Sequence, residues 1–174
     1  MLDTLLNTAP DPSGLASKIN IRISQLPEAI GLPLPCYATE GSSGLDLVAA
    51  VPENTPVFIN PGDRVLIPTG LSIELPPGTE AQIRPRSGLA LKHGITVLNT
   101  PGTIDSDYRG PIGIILQNHG RSIFPVHRGD RIAQIVFVPV LRVNLLPSVK
   151  LSGTERGLGG FGSTGTKTSD STES

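Results

Sequence analysis

Short apolar stretches recur along this chain every 8 to 15 residues or so, and none is long, which is the pattern of a sandwich or barrel built from many strands. They fall at residues 19–23, 45–50, 57–59, 64–67, 71–75, 80–84, 95–98, 112–116, 124–126, 132–140 and 142–145. Turn chemistry separates most of them. Asn60-Pro61-Gly62-Asp63, Pro76-Pro77-Gly78 and Asn99-Thr100-Pro101-Gly102 put proline and glycine where tight turns need a fixed or a positive φ. Helical periodicity is nearly absent, and the best helix candidate is a turn or two over residues 89–93. The pattern predicts an all-β protein.

Composition sharpens this reading. Glycine (20) and proline (17) together make about a fifth of the 174 residues, against an average near 12%. Prolines so spread leave no room for helices of ordinary length, so an all-helical fold is excluded. The length fits one domain able to bury roughly 70% of its extended-chain surface. Residues 1–17 are polar and proline-bearing and are expected to form a disordered lead-in. Residues 18–150 hold the strands and are expected to form the barrel domain. From 151 to 174 glycine, serine and threonine dominate, so a flexible C-terminal arm is expected there. A lone arginine, Arg156, and a lone aromatic, Phe161, suggest a segment that orders over a ligand, with a simple solubilising tail as the plain alternative.

Charge and special residues exclude several functions. A net charge of −1 offers no basic surface for a phosphate backbone, so long nucleic acid is not an expected partner. No apolar run approaches the roughly 18 residues of a membrane span, and the first residues lack a basic start and an apolar core. A soluble, untargeted, cytoplasmic chain without membrane partners is expected. The single cysteine, Cys36, allows no internal disulfide and no cysteine-based zinc site. His93, His119 and His127 lie far apart with no zinc motif. The glycine spacing at 157–162 matches a dinucleotide fingerprint, but it neither follows a convincing strand nor opens a helix.

Three groups are left that could carry chemistry. Residues 94–110 read as a hairpin: a strand, a turn and a returning segment. If the return is extended, period 2 puts Asp105, Asp107 and Arg109 on one face, where one carboxylate could act as general base while the arginine holds its partner. The plainer alternative is an exposed charge ladder, although Tyr108 favours a site in a chain only 3% aromatic. The second group, Pro85-Arg86-Ser87-Gly88-Leu89-Ala90, presents a guanidinium fork, a hydroxyl and the free N–H groups of a helix start, all suited to phosphate oxygens. As a bare tetrapeptide the signal is weak, and a serine N-cap beside a surface arginine is the commoner explanation. The third, SGLDLVA at 43–49, sets Asp46 between Leu45 and Leu47 at a strand mouth, so Asp46 faces out if the leucines face in. Carboxylates without metal-binding histidines suit magnesium, which keeps its waters and leans on substrate phosphates. Together these groups point to a nucleotide polyphosphate.

With the segments at 128–134 (RGDRIAQ) and 156–165 (RGLGGFGSTG), the chain resembles the trimeric dUTPases, whose five motifs occur here in order and at comparable spacing over residues 19–165. The resemblance implies a jelly-roll-like β-barrel, a homotrimer with active sites shared between subunits, and hydrolysis of dUTP to dUMP and pyrophosphate with Mg2+. In the family this keeps uracil out of DNA and supplies dUMP for thymidylate synthesis. It implies that Asp105 activates the water attacking the α phosphorus and that Asp46 grips magnesium through water. Arg86, Ser87, Gly88 and Gln134 match phosphate contacts. Asn99, Thr103, Ile104 and Gly113 match the uracil pocket, and Tyr108 packs on the deoxyribose. Phe161 would cover the base while Arg156, Ser163 and Thr164 bind the γ phosphate. Pro111 departs from the family pattern and stiffens the hairpin exit. Two rivals differ in class. A dCTP deaminase of the same fold needs a glutamate near the base, and the closest candidates, Glu74 and Glu80, lie in another segment. A non-catalytic jelly-roll trimer could dispense with Asp105 or the arm, and both are retained.

Overall fold

A computed structural model describes residues 19–160, which divide after Arg142 into two compact units. The first contains eleven strands: β1 Arg22–Gln25, β2 Leu45–Val48, β3 Val57–Ile59, β4 Arg64–Pro68, β5 Leu71–Glu74, β6 Thr79–Arg84, β7 Ile95–Val97, β8 Gly102–Ile104, β9 Gly113–Asn118, β10 Phe124–Val126 and β11 Arg131–Pro139. Between β6 and β7 lies one short helix, α1, Ser87–His93. Every strand pair is antiparallel. The strands make a four-stranded sheet in the order β2-β11-β6-β8, a three-stranded sheet β4-β9-β7, and two ribbons, β1-β5 and β3-β10.

Alternation on these strands builds one core. On β9 the inward positions are Ile114, Leu116 and Asn118, and on β6 they are Ala81 and Ile83. They join Leu47, Ile59, Ile67, Val97, Val126 and Ile135 in a cluster of β-branched and aliphatic side chains. Such residues suit a pleated, buried face. The long strand β11 lies between β2 and β6, with a bulge between Arg131 and Ala133. The extra residue lets Ile132 and Ala133 both be buried, and Gln134, after the bulge, returns to the outer face. Asn118 is buried but fully engaged: its amide nitrogen donates to Ile59 O and Ser122 O, both at 2.8 Å, and its oxygen accepts from Gly120 N at 2.8 Å.

Most expected strands form within a residue or two of their predicted places, and the differences have local causes. The ladder expected at 19–23 runs over Arg22–Gln25, because β5 offers its partners from Glu74 to Leu71. The strand expected at 142–145 carries no ladder, and Leu145 is 89% exposed. Apolar alternation alone makes no strand; a ladder also needs a paired edge. The hairpin return is extended only through Ile104, and beyond it the chain turns at Asp105 to Tyr108, closed by Tyr108 N donating to Asp105 O at 3.1 Å. The single period-2 face expected for Asp105, Asp107 and Arg109 therefore does not exist. The helix starts two residues earlier than its predicted range and ends at Gly94 in the left-handed region, φ 69°.

The second unit, as described, comprises residues 143–160. It has no regular element among the described residues. A turn at 154–159 is closed by Gly157 N to Thr154 O at 3.0 Å and Gly159 N to Arg156 O at 3.0 Å.

Candidate active site

Register in the four-stranded sheet creates the first concavity. Gln134 on β11 pairs across to Asp46 on β2 and, on its other side, to Arg84 on β6, from which the chain runs through Pro85 into α1. Asp46, Arg86, Ser87, Gly88, Arg131 and Gln134 thus line one open basin of about 630 Å³. Arg86 Nε donates to Asp46 Oδ1 at 2.9 Å, and Arg131 Nη1 donates to Asp46 Oδ2 at 3.1 Å. One carboxylate thus holds two guanidinium groups. Asp46 is 22% exposed and faces away from the core, as the burial of Leu47 and partial burial of Leu45 require.

Two smaller features keep the basin in shape. Gln134 Nε2 donates to Pro85 O at 2.9 Å, so the amide is tied to the loop that carries Arg86. A Cβ at Gly44 would lie 2.5 Å from Gln134 Oε1, so only glycine leaves this amide its place. Ser87 is not the helix N-cap. Arg86 occupies that position without a capping side-chain bond, and Ser87, the first helical residue, is exposed. The capping explanation for this serine therefore fails, and its hydroxyl stays at the mouth of the basin.

The hairpin forms the second concavity, a cleft of about 190 Å³. It brings together Asn99, Thr103, Ile104, Asp105, Tyr108 and Gly113, over a floor that includes Ile83, Val97 and Ile114. Its turn passes through a cis Thr100–Pro101 peptide. Asp105 is exposed at the rim. Tyr108 is 45% exposed, and its hydroxyl donates to Pro111 O at 3.1 Å. Among the described residues no glutamate lines the cleft; Glu80 accepts from Gln82 at 2.7 Å and Glu74 pairs with Arg22 at 3.3 Å.

The sequence-derived site residues thus fall into two groups within the first unit, phosphate-type donors with Asp46 in the basin and nucleoside-type residues with Asp105 in the cleft. Arg156 lies in the second unit, where its Nε donates to Gly159 O at 2.9 Å. Phe161, Ser163 and Thr164 lie outside the described residues. Sequence reading missed Arg131, which shares Asp46 with Arg86. The signal was a second arginine three positions before Gln134, but the bulge decides that it reaches Asp46. Lys92 and His93, also in the basin wall, come from the last turn of α1.

An antiparallel barrel with a polar basin and a hairpin cleft defines the class of protein; the comparisons with known proteins give the family. The dUTPase family model matches residues 31–165. The chain belongs to the dUTPase family, and its enzymatic class is dUTP diphosphatase. Among solved structures, the dUTPase of Staphylococcus bacteriophage 80alpha with dUpNHpp superposes at a TM-score of 0.76 and 23% identity, covering 86% of this chain and 100% of that one. A variant dUTPase from phage phi11 of S. aureus, described for the coordination of a structural Mg(II) ion, gives 0.67 and 21%, covering 76% and 98%. Another structure of the phi11 enzyme, described for its species-specific insert, gives 0.68 and 20%, covering 78% and 100%. These likenesses establish the fold as the dUTPase jelly roll.

Proposed function

We propose that this chain hydrolyses dUTP to dUMP and pyrophosphate by water attack on the α phosphorus, in sites shared between the copies of a homotrimer. The observation that carries this reading is the convergence of Asn99, Thr103, Ile104, Tyr108 and Gly113 with one exposed carboxylate, Asp105, in a single cleft. Asp105 takes the proton of the attacking water, as a general base within reach of the substrate does. Asn99 and the hairpin backbone read the uracil edge, while Thr103, Ile104 and Gly113 line its pocket. Tyr108 packs on the sugar and leaves no room for a 2'-hydroxyl.

In the basin, Arg86, Ser87, Gly88 and Gln134 contact the phosphates, with Ser87 at the bridging oxygen whose charge grows as the bond breaks. Phe161 covers the base, and Arg156, Ser163 and Thr164 bind the γ phosphate, so that the arm at 151–174 closes the site against bulk water. Among the described residues no three His, Cys, Asp or Glu side chains stand together as a metal cage. The donor set instead fits magnesium held mainly by water and phosphate oxygens, because Asp46 keeps lone pairs free beside its two arginines. Bound there, magnesium would neutralise charge on the triphosphate.

Distance supports shared sites. Asp46 and Asp105 lie at opposite edges of the β2-β11-β6-β8 sheet, and Asp105 stands four residues along from the row of Asp46, Gln134 and Arg84. Strand spacing and rise put them about 20 Å apart. One triphosphate cannot use both from the same chain, so a second copy supplies the basin. By family analogy the reaction would keep uracil out of DNA and provide dUMP for thymidylate synthesis. The exposed free thiol of Cys36 suits the reducing cytoplasm.

The test is pyrophosphate release from dUTP, dTTP, dCTP and UTP with magnesium, comparing the natural chain with Asp105→Asn. The expected result is release selective for dUTP, lowered at least about 100-fold in the variant. No release from any of the four by folded protein would leave a binding module in place of an enzyme.

A further inference from the structure

We infer that Arg109 is a positioning residue for hydrolysis: it cross-links the hairpin corner that carries Asp105 and Tyr108, with Glu74 of β5 as its anchor. This rests on the roles proposed above for those two residues. The corner from Asp105 to Tyr108 lies past the end of β8, and only Ser106 among its four residues is even half-buried. Apolar packing therefore cannot hold it. Arg109 Nη1 donates to Ser106 O at 2.8 Å and to Tyr108 O at 2.9 Å, so one charged nitrogen gathers a carbonyl from the middle of the turn and one from its exit. Bonds from a guanidinium are stronger than neutral ones. On its other side Arg109 Nη2 faces Glu74 Oε1 at 3.8 Å, and Glu74 Oε2 accepts from Arg22 Nη1 at 3.3 Å within the β1-β5 ribbon.

The sequence suggested that this arginine holds a neighbouring carboxylate. It holds backbone carbonyls instead, and among the described residues neither Asp105 nor Asp107 comes within ion-pair distance of it. The two residues after it complete the lock. Tyr108's phenol lies against the bare α carbon of Gly110, where any Cβ would collide with the ring and its hydroxyl. That hydroxyl donates to Pro111 O. Residues 109–111 thus set the direction of the ring and the turn that begins at Asp105. Exposed ion pairs add little to stability, so the effect of this lock belongs to geometry and not to folding.

The experiment measures kcat and KM for dUTP and UTP by pyrophosphate release, with thermal midpoints, for the full chain and for Arg109→Ala, Arg109→Lys and Glu74→Gln. In Arg109→Ala the expected kcat for dUTP falls about tenfold or more, since small misplacements of a reacting group are costly. The ratio of kcat/KM for dUTP over UTP narrows several-fold, while the thermal midpoint stays within a few degrees. Arg109→Lys recovers part of the loss, and Glu74→Gln shows a smaller loss in the same direction. Wild-type kcat and selectivity in Arg109→Ala overturn the inference. Should that variant fail to fold, wild-type values in both Arg109→Lys and Glu74→Gln overturn it equally. Absence of dUTP hydrolysis in the unaltered protein would instead defeat the proposed function, so the two failures are distinguishable.

Discussion

Asp46 and Tyr108 each do more than their side-chain class suggests. Asp46 accepts from two arginines, so its charge orders the donors of the basin. Tyr108 spends its hydroxyl proton on Pro111 O and turns its ring edge along Gly110, so its donor capacity is committed before any substrate arrives. Under the proposed function, discrimination at this position works by exclusion of the 2'-hydroxyl. Tyr108→Ala is expected to raise kcat/KM for UTP relative to dUTP by about tenfold, the scale on which pocket shape rejects one extra polar atom. Competitive turnover with the two nucleotides measures it. Equal rejection of UTP by both proteins removes Tyr108 from that role.

At the scale of elements, the sheet β2-β11-β6-β8 and the turn after β8 divide the labour. The central strand β11 aligns Gln134 with Asp46 and carries the bulge that admits Arg131, whereas the hairpin carries the cleft. The cluster that holds the first unit together runs from Ile21 to Phe137 and includes nothing beyond. Truncation after Gly153 should therefore leave the thermal midpoint within a few degrees while turnover drops at least about 100-fold, because the arm would no longer exclude water or contact the γ phosphate. Calorimetry and steady-state kinetics on the same sample check both halves. Unchanged turnover would refute the role given to the arm. Much of this level was legible in advance: alternating runs and proline-glycine turns announce most strands. The strand at 142–145 was misread because alternation reports a potential face, and a ladder needs a partner edge as well.

For the whole molecule, the separation of about 20 Å between Asp46 and Asp105, from sheet spacing and rise, makes a sharp demand on assembly. Asp105→Asn and Arg86→Ala should each be inactive alone. Co-refolded at equal amounts, they should recover up to about one quarter of full activity, because each mixed cyclic trimer contains one site with both intact residues. Sites built within one chain would give no recovery. Among the described residues no helix is long and apolar enough to cross a membrane.

The sequence alone determined the strand-rich class and most turn positions and put forward the candidate site residues, because alternation, turn chemistry and the five motifs are local properties of the chain. Only the tertiary structure decided which of those residues meet. The bulge in β11 brings Arg131 to Asp46, and the turn at Asp105 replaces an extended face. Arg109 finds carbonyls and Glu74 in place of a neighbouring aspartate. Each depends on contacts between segments distant in the chain or on how a strand ends, and periodicity carries no record of either.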